Sequence, residues 1–192
     1  FVPETKNGSV DVTFIFDATG LHGKEIVVFE DLYRENVLLA THADINDEGQ
    51  TVKIKNPEIG TTASFEGEKE IDPLDKVTLT DTVSYKDLTP GKEYRVTGVL
   101  MDKSNGKELL INGEKVTAEA TFVATEASGS VDVTFIFDAT GLHGKGIVVF
   151  EDLYRENALL ATHADINDEG QTVKIKNPEI GTKATADSKK EI

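Results

Sequence analysis

Slid against itself by 121 positions, this chain repeats: residues 1–71 align without a gap on residues 122–192, and 58 of the 71 positions are identical. Between residues 8 and 61 two positions differ, Glu25 against Gly146 and Val37 against Ala158. Solenoid repeats have periods of about 20 to 50 residues, whereas this one has the length of a whole domain. The chain therefore reads as a window on a tandem array. Residues 1–60 are the C-terminal half of one repeat, 61–181 are a complete repeat, and 182–192 are the first strand of a following one. The segment Asn177-Pro178-Glu179-Ile180-Gly181 and its twin at 56–60 read as short, semi-rigid joints. The start, Phe1-Val2-Pro3-Glu4, lacks the basic and apolar stretches of a leader, as expected of an internal piece.

Within the complete repeat the periodicity is that of strands. Val131-Asp132-Val133-Thr134-Phe135-Ile136-Phe137 alternates with period two, and residues 93–100, 147–151 and 172–175 also read as strands. Thr89-Pro90-Gly91-Lys92, Ser104-Asn105-Gly106-Lys107 and Asn112-Gly113 are turn signals between them. Short strands with turns every 8 to 12 residues predict an all-β sandwich or a partly open barrel. With 38% apolar and 29% charged residues the chain can bury a modest core, and no apolar run approaches the roughly 20 residues that cross a bilayer. A net charge of −15 opposes binding to nucleic acid or to an anionic membrane. The absence of cysteine removes disulfides, thiol catalysis and cysteine-based zinc sites.

Few residues suggest chemistry. Asp165-Ile166-Asn167-Asp168-Glu169-Gly170 has the oxygen spacing of a calcium loop, but its twelfth position is Lys176, not a bidentate glutamate, so a solvated hairpin turn is the better reading and no metal is expected. His163 and Gln171 bracket that loop, as His42 and Gln50 do in the first copy; the competing reading is a strand histidine with a satisfied ring. His143 lies in a glycine-rich loop and reads as surface. Glu151 ends an apolar strand and Asp81 sits within Thr80-Asp81-Thr82-Val83-Ser84-Tyr85; such acids usually face water, because burying one is costly unless it is paired or protonated. There is no phosphate loop, zinc-protease motif or nucleophile elbow, so a turnover enzyme and a cofactor are not expected.

Three stretches taken together resemble the VaFE repeats of surface-anchored adhesins and pilin-like stalks of Gram-positive bacteria. They are Val148-Val149-Phe150-Glu151, the closing segment 163–172, and the opening Gly60-Thr61-Thr62-Ala63 with 80–85 and 89–94 after it. The resemblance covers essentially all of 61–181 and the half repeat before it. It implies an Ig-like or CnaB-like β-sandwich, an extracellular, cell-wall-attached location, and an internal ester between a threonine of the first strand and a glutamine of the last. On that resemblance the threonine is Thr61, since Thr182 keeps the position in the third copy where Thr62 becomes Lys183; the glutamine is Gln171. His163 and Asp81 match the family's histidine and aspartate, and Glu151 is the preferred acidic partner, with Asp138 the other choice. Glu30, His42, Gln50 and Thr182 are the equivalents in incomplete repeats.

The chemistry suits those roles. A threonine hydroxyl needs a base, and a carboxamide needs its carbonyl polarised, which a carboxylic acid kept protonated beside a second carboxyl can do. Such a bond would form once per domain, with the chain as its own substrate. The expected partners are neighbouring repeats of the same chain, with any host ligand bound elsewhere in the parent. The rival expectations are a ligand-binding module using loop 139–145, and a stalk closed by a lysine–asparagine isopeptide.

Overall fold

The computed structural model describes residues 1–184 and divides after Asn56 into a unit Phe1–Asn56 and a unit that begins at Pro57. Apart from one short 3-10 turn, regular structure in the described residues is all strand. Among its described residues the second unit carries twelve strands: β1 (Glu58–Ser64), β2 (Glu70–Ile71), β3 (Val77–Lys86), β4 (Glu93–Asp102), β5 (Lys107–Glu108), β6 (Leu110–Ile111), β7 (Glu114–Lys115), β8 (Thr117–Val123), β9 (Gly129–Phe137), β10 (Gly146–Arg155), β11 (Ala158–His163) and β12 (Thr172–Ile175).

They form a β-sandwich. The larger sheet runs β8-β4-β10-β12-β2, with β11 also on β10 and β5 on β4; the smaller runs β9-β3-β1, and β6 and β7 make a separate hairpin. Every ladder is antiparallel except β12 on β2, where Lys174 faces Glu70 and Ile175 faces Ile71. The chain thus opens in the small sheet with β1 and crosses to the large one with β2. Alternation directs one face of each strand inward: Val77, Leu79, Val83 and Tyr85 from β3, Val133, Phe135 and Phe137 from β9, Ile147, Val149 and Leu153 from β10, and Val173 and Ile175 from β12 share one core.

Phe135 reaches across this core to the backbone of β4. A Cβ on Gly98 would lie 2.5 Å from the Phe135 ring tip, so the glycine is there to admit the ring. Gly98→Ala is expected to cost about 1–3 kcal/mol, the usual penalty of overpacking, read as a lower urea midpoint with an unchanged slope.

The first unit is a natural control, because its sequence nearly duplicates residues 122–177. Its hairpin survives: 30–34 pairs with 37–42 in the register of β10 on β11, down to the same bulge and the same threonine–aspartate bond, Thr41 Oγ1 to Asp31 at 2.7 Å and Thr162 Oγ1 to Asp152 at 2.6 Å. Residues 25–27 also pair with 51–53. Residues 8–16, in contrast, form no strand, and Val10, Val12, Phe14 and Phe16 are 52–60% exposed, although their copies make β9. In the complete unit β9 is held by β3, from Gly129 opposite Tyr85 to Phe137 opposite Val77, and the first unit contains no counterpart of β3. Strand propensity without a partner strand does not make a strand.

Two expectations about the joints meet the structure differently. Glu58–Gly60, read as joint, already pair with Lys86–Ser84 as the start of β1. Residues 182–184 carry no strand, and the rest of the strand expected over 182–192 lies outside the described residues.

Candidate functional site

Each of four inward rows contains one polar residue among apolar ones. On β1 it is Thr61 between Ile59 and Ala63; on β3, Asp81 between Leu79 and Val83; on β10, Glu151 between Val149 and Leu153; before β12, Gln171 ahead of Val173 and Ile175. The sandwich brings these rows face to face. Asp81, Glu151 and Gln171 are 0–1% exposed. Thr61 Oγ1, both oxygens of Asp81, both of Glu151, and Oε1 and Nε2 of Gln171 are buried without a conventional hydrogen-bond partner. Orphaned buried polar groups each cost about 1–3 kcal/mol, and native cores hold few of them. Here they are gathered in one place.

The two acids act on each other. Burial, with Asp81 beside it, pushes the Glu151 carboxyl up to about 11, so it is protonated at neutral pH. Burial also raises Asp81, opposed by the Glu151 carboxyl, then by His163 and Lys69. A closely held pair of this kind keeps one proton, because both members cannot ionise in an apolar site.

His163 stands opposite Glu151 in the β10–β11 ladder, and its Nε2 lies 2.8 Å from Asp168 Oδ2. The ring holds Asp168 below the usual aspartate range, with help from the Gly170 amide, which donates to Asp168 Oδ1. The pair is built locally by the loop: His42 and Asp47 meet at 2.7 Å in the first unit, which holds no counterpart of Thr61 or Asp81. Residues 165–170 are therefore a turn, with Asp165 accepting from the Asn167 amide and Asp168 orienting the histidine. No group of metal-binding side chains occurs among the described residues. Asp168 was legible as one half of a histidine–aspartate pair present in both copies.

Gln171 is fixed by its backbone: the Val149 amide donates to its carbonyl at 3.2 Å, and the Ala63 amide donates to the carbonyl of Gly170 at 3.0 Å. Lys69, to which the sequence drew no attention, donates to the carbonyls of Ala63 and Gly170, 2.5 Å each.

Other residues named from the sequence fall elsewhere. Asp138 is at the surface, accepting from the amide and hydroxyl of Thr140. His143 is exposed. Glu30 lies opposite His42 in the first unit's hairpin, and Gln50 is half-buried in its 3-10 turn. Thr182 is exposed.

Together these features describe a β-sandwich whose core encloses a hydroxyl, a carboxamide and a pair of acids with one proton, arranged within a single chain. The chain belongs to the T-Q ester bond containing domain family, whose model matches it twice, over residues 1–54 and 57–175. Among solved structures it is similar to a bacterial adhesin from Mobiluncus mulieris containing intramolecular disulfide, isopeptide and ester bond cross-links. Two crystal forms of that adhesin match at 19% and 18% identity with a TM-score of 0.57, over 65% of this chain and 58% of the adhesin chain. At this identity the likeness is one of fold, and the match spans little more than half the adhesin's length. No curated protein matches the sequence.

Proposed function

We propose that the complete unit is a load-bearing stalk domain of a Gram-positive cell-surface adhesin, attached to the wall through its parent protein and closed by an ester between Thr61 and Gln171. The observation that carries this reading is the cluster of orphaned polar atoms, which coincides with the nucleophile, the electrophile and the acids such a bond needs.

Thr61 Oγ1 attacks Cδ of Gln171, a C–O bond forms, and the Cδ–Nε2 bond breaks. The hydroxyl proton passes through His163, whose Nε2 is held by Asp168 so that the traffic falls to Nδ1, and leaves with Nε2 as ammonia. The Glu151 carboxylic acid donates to Oε1, where negative charge develops, while Asp81 carries the pair's negative charge. Folding supplies the alignment, so the reaction runs once, on the chain itself. The product also relieves the core: the threonine O–H and both carboxamide N–H groups disappear, and the remaining carbonyl accepts from Glu151.

The two rival readings lack comparable support. No lysine or asparagine is fully buried among the described residues, and Lys69 donates to backbone carbonyls, so nothing is arranged for an isopeptide. In loop 139–145, Ala139 and Leu142 are core residues, and the Ala139 amide is bonded to the Leu74 carbonyl; the loop closes the sandwich.

The test is the intact mass of the 192-residue chain. Wild type is expected to be lighter than its calculated mass by one ammonia. It should not lose two, since Gln50 and Thr182 have no partners in a complete unit. Thr61→Ala and Gln171→Ala should have full mass, and peptide mapping should join Thr61 to Gln171 by a link that opens in mild base. A folded wild-type chain of full mass would remove the ester.

A further inference from the structure

The two reacting segments belong to different sheets. β1 pairs with β3, while β12 pairs with β10 and β2, so no ladder sets the position of Thr61 against Gln171. What joins the segments is a small bonded group. The Ala63 amide donates to the Gly170 carbonyl, and the Lys69 amine donates to that same carbonyl and to the carbonyl of Ala63. Ala63 is two residues beyond Thr61, and Gly170 immediately precedes Gln171. One side chain in the β1–β2 connection thus holds both ends of the future crosslink, gripping a backbone 101 residues away.

From this geometry we infer that Lys69 is a positioning residue for ester formation, clamping β1 to the segment before β12 so that the Thr61 hydroxyl faces the Gln171 carboxamide. The inference rests on the ester reading above and assigns it a residue outside the reacting groups. The amine has a second effect through its charge. Asp81, Asp168 and Glu169 are the acids that act on it, and among them Asp81 belongs to the pair. The titratable groups acting on Asp81 are Glu151, through a hydrogen bond, and His163 and Lys69, through their charge. A cation beside Asp81 keeps the pair's negative charge there and leaves the proton on Glu151, where the carboxamide needs a donor. A lysine recurs at the aligned position, Lys190, although all five positions before it, 64–68 against 185–189, differ.

The experiment follows crosslinking of the full chain, synthesised in vitro across a pH series and quenched at intervals, by the loss of one ammonia. Lys69→Met keeps an unbranched side chain one atom shorter and loses both the donors and the charge. It is expected to crosslink at least about tenfold more slowly, as misaligned intramolecular reactions do. The acid limb of its pH–rate profile should move to higher pH, since the pair takes up its second proton more readily without the cation. Lys69→Arg, which can span two carbonyls and stays charged, should restore the profile and most of the rate.

A Lys69→Met chain that reacts at the wild-type rate overturns the proposal. So does a slow one whose profile is unshifted and which Lys69→Arg does not rescue. Melting of Lys69→Met in a Thr61→Ala background separates folding from positioning: a transition close to that of Thr61→Ala supports positioning, and one far below it assigns the slow reaction to a weakened fold. If wild type itself retains its ammonia, the ester reading falls and this inference with it; if wild type loses it and Lys69→Met does so equally fast, the lysine alone is excluded.

Discussion

Replacing Thr61 with alanine should lower the melting temperature of the complete unit by roughly 15–25 °C. A tie between residues 61 and 171 closes a loop of about 110 residues, and a crosslink closing about 100 residues removes roughly 4.7 kcal/mol of chain entropy from the unfolded state. For a domain of this size each kcal/mol moves the midpoint by roughly 3–6 °C, between the values for smaller and larger domains. The variant also leaves the Gln171 carboxamide buried and unpartnered, which adds to the loss. Calorimetry of the full chain reads the difference, and coincident transitions would show that the tie contributes nothing.

The same variant should extend further under load. On the proposed ester, tension entering at β1 and leaving at β12 would meet a covalent bond in wild type, and in Thr61→Ala only non-covalent contacts, among them the Ala63–Gly170 bond, the Lys69 clamp and the short parallel ladder of β12 on β2. Equal extension of the two at one force would exclude a mechanical role.

The second large effect concerns pH and is seen best where the ester is missing. In Thr61→Ala the acid pair remains buried with nothing to react, and Glu151 keeps its proton up to about 11 when folded against an ordinary value of 4.5. Between those values the folded chain holds a proton that the unfolded chain has released, so stability is greatest in acid and declines as pH rises. The slope is about 1.4 kcal/mol per pH unit for one proton. Adding Glu151→Gln should flatten it, because a neutral amide releases no proton. Urea unfolding from pH 5 to 9 compares the two chains, and parallel slopes would show that Glu151 does not hold the proton. In chains that keep Thr61, Glu151→Ala should slow crosslinking about 10²–10³-fold, the usual loss on removing one donor from a developing oxyanion.

How much of this was legible beforehand varied with the range of the interaction. The alternation of β3 and β10 already placed Asp81 and Glu151 in line with residues that turn out to be core. An acid in an inward row is a sharper signal than an acid in a strand, and the row becomes visible once Val77 to Tyr85 or Ile147 to Leu153 is read as one face. The choice between Glu151 and Asp138 was not available locally. Both follow strand residues, and one caps a surface turn while the other faces Asp81 only because the second sheet covers it. Beyond its recurrence as Lys190, Lys69 carried no signal, since a lysine among glutamates in a connection reads as solvated, and its grip on two carbonyls depends on a segment 101 residues later. The loop 165–170 resembled a calcium site because aspartates that cap turns have the spacing of aspartates that bind metal.

The two copies of nearly one sequence separate these ranges within a single chain. What forms in both, the hairpin 30–42 and 151–163, its bulge, the histidine–aspartate pair and the short ladder of 25–27 on 51–53 and 146–148 on 172–174, depends on residues within about 30 positions of each other. Local hydrogen bonds and turn chemistry carry such elements wherever the segment sits, and they follow from the residue order alone. What forms in one copy, the strand β9 and the buried cluster around Thr61 and Gln171, requires β1 and β3. A strand needs a partner for its backbone groups and a facing sheet for its apolar side. A protonated carboxylic acid at neutral pH needs water removed from around it. Neither condition can be met by a segment acting on its own sequence, so only the closed sandwich decides them.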